Sequence, residues 1–245
     1  MIKNSVFISG SIAIKTLPQE VKNSIHKVVD NHMEILIGDA NGIDSLVQDY
    51  CLSLNYFNVT VYSISSPPRY KASDKFGSKT VTVPAEIKGG RERQQSKDKA
   101  MTKDSQYSFI IWDGKSKGSY TNIVRAFEQD KKIKLYAENR FLEQNEINQE
   151  NIEYIYRENS GYTALEVVQQ LKNIFNRTQD LNRYLVQHSI IKKDNNVYQP
   201  MSKYEDLFII DRYRGRVKGI KFRSEFLGWI EGSLKSDRMV EGGLF

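Results

Sequence analysis

The stretch that most constrains the fold is a short apolar run, residues 35–37, which stops in a loop holding Gly38, Asp39, Gly42 and Asp44. A helical pattern follows the loop directly. A continuous apolar run bounded by turn residues is typical of a strand buried on both faces, and glycines allow a tight turn. The chain is therefore predicted to contain a strand, a loop and a helix in the order from which α/β folds are built.

The same unit recurs through the first part of the chain. Apolar or β-branched runs predict five strands, at residues 6–9, 34–37, 58–63, 107–112 and 132–137. Helical spacing predicts helices between them, at residues 17–32, 43–54, 91–104 and 120–130. Strands that are apolar on successive residues and alternate with helices favour a parallel sheet covered on both faces. We therefore predict a doubly wound α/β domain over residues 1–158, with a mostly parallel, five-stranded, Rossmann-like sheet.

One polar segment, residues 65–90, interrupts this alternation and contains most of the prolines. It is too long for an ordinary connection, so it is either a lid over a ligand or a disordered insert. Arg69 and Lys71 favour the lid.

The pattern changes in residues 160–245. Helical spacing covers residues 162–175, a second helix starts at Thr178, and residues 190–199 predict a hairpin with an Asn-rich turn. A short strand at 219–222 and a helix at 225–234 follow. Two helices, a hairpin and a closing helix predict a small α+β domain of the winged-helix kind over residues 160–245.

Composition limits the class of protein. A chain of 245 residues with 39% apolar content can bury one core and carry a second small module. The net charge is +6, most of it in residues 160–245, which favours a polyanionic partner or is simply a solvated surface. No signal-peptide pattern and no apolar run of ~20 residues occur, so a cytoplasmic protein without a membrane partner is expected.

Cysteine and histidine usage excludes several kinds of site. Cys51 is the only cysteine, so a disulfide framework and a thiolate zinc site are both excluded, and its place on an apolar helix face predicts a core residue. The three histidines are not spaced with carboxylates as metal ligands are. No metal site is predicted.

Three strand ends carry glycine loops. In a doubly wound sheet, ligands bind outside the carboxyl ends of the strands, where the strand order reverses. Glycines let the backbone approach a ligand, amides at helix starts bind phosphate, and hydroxyls add donors. A pocket for a phosphorylated nucleoside is therefore predicted. Its candidate residues are Gly10, Ser11, Gly38, Asp39, Gly42, Asp44, Gly114, Ser116, Gly118 and Ser119. Asp39 is assigned to a ribose hydroxyl or a metal, whereas helix capping is the plainer role for Asp44.

These motifs resemble the SLOG superfamily, the Rossmann-like group of the LOG phosphoribohydrolases, the DprA recombination mediators and the YspA-type proteins. The resemblance covers about residues 4–137 and is carried by residues 7–11, 38–44, 91–104 and 112–119, with Ala126. It implies binding of a nucleotide derivative, which members either sense or cleave at the N-glycosidic bond, and it implies self-association. It also implies that Arg91 or Arg93 meets a phosphate; the alternative is that both are exposed helix residues.

The sequence departs from the LOG enzymes at one position that matters for catalysis. Their glycine loop is followed by a Glu one helical turn later, and Asn122 holds that position here. Asn can bind a ribose hydroxyl, but it cannot act as the carboxylate that stabilises an oxocarbenium-like state. Asp113 and Asp39 are the catalytic candidates that remain, although capping of its own loop is the plainer role for Asp113.

The second domain resembles the C-terminal domains of phage antirepressors around residues 181–185 and 190–200. The resemblance implies nucleic-acid contacts on the second helix and the hairpin. The residues concerned are Arg177, Gln179, Asn182, Arg183, Lys192 and Lys193. The alternative is a dimerisation or protein-docking module.

Three functions follow as hypotheses. The first is a sensor of a nucleotide-derived ligand, requiring no cofactor and coupled to a module that binds DNA or a protein partner, in a setting such as phage defence or a mobile element. The second is an N-glycosidase acting on a nucleotide or NAD. The third is a DprA-like protein that binds single-stranded DNA.

Overall fold

The computed structural model describes residues 4–213 and 215–242. The chain divides into two compact units, Met1–Ile152 and Glu153–Phe245. Within the described residues, no helix is long and apolar enough to cross a membrane.

A seven-stranded sheet forms the centre of the first unit. Its strands are β1 (Ser5–Gly10), β2 (Glu34–Ile37), β3 (Val59–Ser63), β4 (Gly77–Thr80), β5 (Tyr107–Ile111), β6 (Lys132–Ala137) and β7 (Arg140–Phe141). The order across the sheet is β4-β3-β2-β1-β5-β6-β7. All neighbours are parallel except β6 and β7. The predicted α/β class with a mostly parallel, Rossmann-like sheet is confirmed, but the predicted number of five strands is wrong.

The two additional strands lie at the edges of the sheet. All four residues of β4 are exposed, so its sequence carries no apolar signal. β4 belongs to the polar segment 65–90, which is therefore built onto the sheet rather than being a disordered insert. The same segment buries Phe76, 2% exposed, against Phe57 with 6.4 Å between ring centroids. β7 follows a turn in which Glu138 and Asn139 have φ of 51° and 60°, as two-residue antiparallel hairpins require.

Four helices accompany these strands: α1 (Gln19–Asp30), α2 (Ile43–Ser53), α3 (Gly90–Asp104) and α4 (Lys117–Glu128). α4 begins three residues before the predicted start at Tyr120. Ser116 is extended and its carbonyl accepts a hydrogen bond from the Tyr120 N–H at 3.1 Å. The first helical turn therefore consists of Lys117, Gly118 and Ser119, which were predicted as loop. One glycine does not prevent a helix from starting.

The core fills both faces of the sheet. Alternation along β1 sends Ile8 to a cluster with Val21 and Ile25 of α1, while Phe7 packs with Met101 of α3 on the other face. Each fully buried side chain of this size contributes about 1.5–3 kcal/mol to the free energy of folding. Cys51 is fully buried in the first cluster, and burial raises the pKa of its thiol to about 12.

The strand order reverses at β1. The chain builds β2, β3 and β4 outward on one side of β1 and then returns through α3 to place β5 on the other side. The carboxyl ends of β1 and β5 lie next to each other, since Gly10 is paired with Ile111. This arrangement opens a crevice beyond these two strand ends.

The second unit combines helices with two antiparallel hairpins. After α5 (Gln149–Ser160), its elements are α6 (Ala164–Gln170), α7 (Thr178–Gln187), β8 (Ile191–Asp194), β9 (Val197–Pro200), a 3₁₀ helix (Ser202–Leu207), β10 (Phe208–Tyr213), β11 (Arg216–Phe222) and α8 (Ser224–Gly242). The predicted hairpin is confirmed by the β8–β9 pairing. Asn195 and Asn196 form its turn with φ of 46° and 63°. The winged-helix interpretation of this unit stays a prediction.

Candidate functional site

A cleft of about 510 Å³ lies beyond the ends of β1 and β5, which is within the range of small-molecule sites. Three chain segments that are distant in the sequence form its walls: the end of β1, the loop before α2 and the start of α4. The first turns of α3 complete the cleft. The predicted candidates that line it are Gly10, Ser11, Asp44, Arg91, Ser116, Gly118, Ser119 and Asn122. The three glycine loops thus lie together, as was predicted for loops that follow the strands of a doubly wound sheet.

Several other predicted residues do not line the cleft. They are Gly38, Asp39, Gly42, Arg93, Asp113 and Gly114. Arg93 donates a hydrogen bond from Nη1 to the Ile87 carbonyl at 3.2 Å, so it supports the segment before α3, whereas Arg91 is exposed at the cleft. Gly114 is buried with φ of 77° and serves the turn itself.

Hydrogen bonds fix the loops to one another. The hydroxyls of Ser11 and Ser119 are 3.2 Å apart, and the Asp113 N–H donates to Ser11 Oγ at 3.1 Å. The Ser11 N–H donates to the Ile111 carbonyl at 3.0 Å. Ser11 therefore joins the end of β1 to the loop after β5 and to the first turn of α4.

The glycines fall into two groups. A Cβ at Gly10 would lie 2.3 Å from the Ile111 carbonyl oxygen, and one at Gly38 would lie 2.2 Å from Asp44 Oδ2. Gly42 has φ of +80° and would place a Cβ 2.5 Å from Ile12 Cα. These three positions need glycine for packing or backbone conformation. Gly10 nevertheless lines the cleft, and the role of all three glycines in admitting a ligand stays a prediction.

Gly90 and Gly118 form the second group. A Cβ at either would meet nothing within 4 Å, and both residues line the cleft. Each stands in the first turn of a helix, where the absence of a side chain leaves the backbone amides accessible.

Three helices start at the cleft without a side-chain cap. The capping positions of α2, α3 and α4 are Gly42, Gly89 and Ser116, and none accepts a side-chain hydrogen bond from the helix. Away from the cleft, α1 and α7 also lack a side-chain cap, whereas Thr163 forms a complete capping box at the start of α6. The first amides of an uncapped helix and its dipole favour an anion, so the cleft concentrates donors suited to phosphate.

A buried lysine that was not among the predicted site residues lines the cleft. Lys97 of α3 is 4% exposed. Its Nζ lies 3.2 Å from Asp98, 3.8 Å from Asp44 and 3.9 Å from Asp39. Burial lowers the pKa of Lys97, but the three carboxylates outweigh burial and hold the pKa above its ordinary value. Lys97 therefore stays charged and joins α3 to the two loop carboxylates.

Asp39 is fully engaged by Arg69, which belongs to the segment 65–90. The Arg69 backbone N–H and Nε each donate to Asp39 Oδ2 at 3.1 Å, and Nη2 donates to Oδ1 at 2.6 Å. Burial raises the pKa of Asp39, but these bonds and Lys97 hold it below its ordinary value. Both oxygens of Asp39 are thus engaged by Arg69, and Asp39 does not line the cleft, so its roles in catalysis and ligand binding stay predictions.

Asp113, the other catalytic candidate, caps its own loop. Its carboxylate accepts hydrogen bonds from the backbone N–H and the hydroxyl of Ser116, both at 2.7 Å, and from the Lys115 N–H at 3.1 Å. Burial raises its pKa, but these bonds bring it below the ordinary value. These hydrogen bonds fit the loop-capping role, which was the plainer expectation for Asp113, and its catalytic role stays a prediction.

Two other carboxylates do line the cleft, those of Asp44 and Asp98. Asp44 also accepts a hydrogen bond from the Ala40 N–H at 3.1 Å. Burial raises the pKa of Asp44 to about 6, and Asp98 adds to the rise, although Lys97 and the Ala40 N–H oppose it. Asp44 thus has the acid–base range that a general acid or base needs near neutral pH.

Asn122 lies in the cleft, 6% exposed, with a buried arginine behind it. Arg125 Nη1 donates to Asn122 Oδ1 at 2.7 Å, and burial lowers the Arg125 pKa. Arg125, one helical turn after Asn122, was not among the predicted site residues.

Two polar atoms in the cleft have no hydrogen-bond partner among the described residues. They are Ser9 Oγ and Gln94 Oε1, both buried and both in residues that line the cleft. Leaving such an atom unpaired costs about 1–3 kcal/mol, so each unpaired buried group calls for an explanation. A ligand that reaches these atoms would provide one.

The six predicted nucleic-acid contacts do not form one uniform surface. Gln179, Asn182 and Arg183 lie on α7, and Arg177 at its start pairs with Asp180 at 3.4 Å. Lys192 and Lys193 are consecutive residues of β8, so they point to opposite faces. Nucleic-acid contact by these two lysines stays a prediction.

One further finding concerns the part of the chain that the structure describes. No group of three or more His, Cys, Asp or Glu side chains there is arranged to hold an ion.

Comparison with known proteins adds little to this geometry. No protein-family model matches the sequence, and no curated protein is significantly similar to it. The chain has a structural likeness to DNA processing protein A from Helicobacter pylori, whose structure was described for its mode of binding single-stranded DNA. The TM-score is 0.42 at 16% identity, over 61% of this chain and 74% of that chain. A likeness of this degree is no basis for assigning a function.

Proposed function

We propose that the first unit binds a phosphorylated, nucleotide-like small molecule in the cleft and that binding regulates a second unit that contacts nucleic acid or a protein partner. One observation carries the proposal: the uncapped starts of α3 and α4 and two unpaired buried polar atoms meet in one cleft at the switch point of the sheet.

The charge of the cleft supports an anionic ligand. Four basic side chains line it. Arg69 and Lys97 are paired with Asp39, Asp44 and Asp98, which leaves Arg91 and Lys117 as the excess positive charge. The positive ends of the helix dipoles add to this excess. An anion in the cleft is therefore favoured both by side chains and by backbone.

The remaining walls suit a nucleoside. Phe7 and Met101, each 1% exposed, provide an apolar floor. Ile12 is 59% exposed at the rim, where it offers apolar surface to a base. Asn122 and the Asp98 carboxylate can hydrogen-bond sugar hydroxyls.

Sensing is favoured over catalysis by the residues at the predicted catalytic positions. Asn122 stands where the resemblance implies Glu, and both Asp39 and Asp113 are engaged by neighbouring donors. We infer that a ligand that is bound but not cleaved regulates the protein. The basic second unit is the part of the chain that the bound ligand would regulate.

Calorimetry with nucleoside mono- and diphosphates tests the proposal. Gly118→Glu places a carboxylate in open space at the start of α4, so it is expected to abolish binding while leaving the fold intact. Gly228→Glu is the matched control, because Gly228 is also helical, exposed and free of contacts within 4 Å. Equal affinity in the two variants would contradict the placement of the phosphate.

A base-releasing hydrolase is the second candidate, favoured by the pKa of about 6 at Asp44. Chromatographic detection of free base from nucleoside monophosphates or NAD tests it. Activity that disappears in Asp44→Asn would establish the hydrolase; absence of free base at high enzyme concentration would leave sensing.

Point variants of the full chain can show which unit binds single-stranded DNA. If the second unit is the binding module, Arg183→Ala should weaken salt-dependent DNA binding and Lys117→Ala should leave it unchanged. The opposite result would move the DNA site to the cleft, as in the third hypothesis.

A further inference from the structure

We propose that the ligand of the cleft carries two phosphate groups on separate positions of its sugar, one held at the start of α3 and the other at the start of α4. The inference rests on the proposed function and narrows it from nucleotides in general to sugar-bridged bisphosphates. A nucleoside 3′,5′-bisphosphate is the simplest molecule of this class.

The two helix starts have the same composition. α3 begins with Gly90 and Arg91, and α4 begins with Lys117 and Gly118. In each pair the glycine leaves open space, and the cation is exposed without a hydrogen bond or ion pair to another described residue. Each helix therefore presents free amides and an unneutralised positive charge to the same cleft.

The start of α2 does not form a third site of this kind. Asp44 stands in its first turn and lines the cleft, so a carboxylate already opposes the positive end of that helix. α4 has no acidic residue in its first turn. In α3 the only such residue, Glu92, does not line the cleft and lies beside Gly89.

Unpaired buried atoms point to the ligand independently of the helix starts. Ser9 is 4% exposed, and its Oγ has no partner among the described residues. Alternation along β1 places its side chain on the same face as Phe7, which also lines the cleft. Gln94 lies one turn inside α3 with its Oε1 buried and unpaired. Polar atoms for a ligand are thus present between the two helix starts and the sheet.

Helix packing separates the two sites. α3 packs against α4, and the axes of packed helices are about 8–10 Å apart. If the two starts are separated by about this distance, a single phosphate would not reach both, and the two phosphates of a diphosphate, which share one oxygen, would lie too close together. Two phosphates joined through a sugar match the separation.

Isothermal titration of the full chain with adenosine or guanosine 5′-monophosphate, 5′-diphosphate and 3′,5′-bisphosphate tests the inference. The bisphosphate should bind at least about tenfold more tightly than either other form, the gain from charged hydrogen bonds to a second phosphate. Arg91→Ala and Lys117→Ala should each weaken bisphosphate binding about tenfold, whereas only one of them should affect the monophosphate. Lys99→Ala and Lys115→Ala are charge-matched controls, since both residues are exposed and neither lines the cleft.

The outcomes separate this inference from the proposed function. Equal affinity for the monophosphate and the bisphosphate would overturn the two-phosphate ligand and leave nucleotide binding standing. Tighter bisphosphate binding that depends on only one of the two cations would overturn it as well. Failure of all the nucleotides to bind would overturn both.

Discussion

Asp44→Asn should stabilise the first unit at neutral pH, because Asp44 is a buried carboxylate that is costly to ionise. Its pKa is about 6 in the folded protein, against an ordinary value of 3.8. That difference corresponds to about 3 kcal/mol of unfolding free energy. Asn keeps an oxygen that can accept the Ala40 N–H and removes the charge.

The sign of the pH dependence follows from proton binding. Between pH 3.8 and about 6 the folded protein binds the Asp44 proton more tightly than the unfolded chain does, so the stability that the proton confers is lost as pH rises through 6. The difference between variant and wild type should therefore be about 0.6 kcal/mol at pH 4 and reach about 3 kcal/mol at pH 8. Carboxylates with lowered pKa values, such as Asp113, cancel because they occur in both proteins.

Urea denaturation in a Trp229→Phe background measures the difference. Trp112, 2% exposed in the first unit, is then the only tryptophan and its fluorescence reports that unit alone. Asp74→Asn, on an exposed residue, is the matched control and should change stability little at any pH. A destabilised Asp44→Asn at pH 8, or a difference independent of pH, would refute the reasoning.

Three further substitutions test features of the fold. Gly38→Ala should destabilise the first unit by about 1–3 kcal/mol in the same assay, because the alanine Cβ would lie 2.2 Å from an Asp44 oxygen. An unchanged urea midpoint would show that the loop shifts to accommodate the Cβ at no cost in stability. Asn196→Gly should raise the thermal midpoint of the second unit, since φ of 63° at a hairpin turn favours glycine, and a lower midpoint would contradict the turn assignment. Thr163→Ala removes the capping box with Glu166 and should cost about 1 kcal/mol in urea denaturation; no loss would mean that water replaces the cap.

Strand prediction succeeded where burial imposes a pattern. The predicted runs 34–37 and 132–137 coincide with β2 and β6, because both strands direct apolar residues into the core. β4 was missed since edge position and full exposure leave its sequence polar. β10 was also missed, although it begins with the apolar residues Phe208 and Ile209. Only β11 and α8 were predicted in this part of the second unit.

The candidate site, too, could be predicted only in part. The convergence of the loops follows from topology, so it could be predicted once the parallel sheet was recognised. The pairing of Asp39 with Arg69 and the burial of Lys97 could not, because these contacts join residues that are distant along the chain. α3 is strongly polar, and nothing in its sequence distinguishes Lys97, drawn inward by three carboxylates, from its solvated lysines.

The burial of Cys51 makes the chain convenient for labelling. A thiol that is fully enclosed and has a pKa of about 12 does not react with maleimides or methanethiosulfonates while the protein is folded. Lys88→Cys, at an exposed position shortly before α3, would then supply the sole reactive sulfur without removal of the native one. A fluorophore or nitroxide attached there would report, in real time, how the approach to α3 responds when a nucleotide is added.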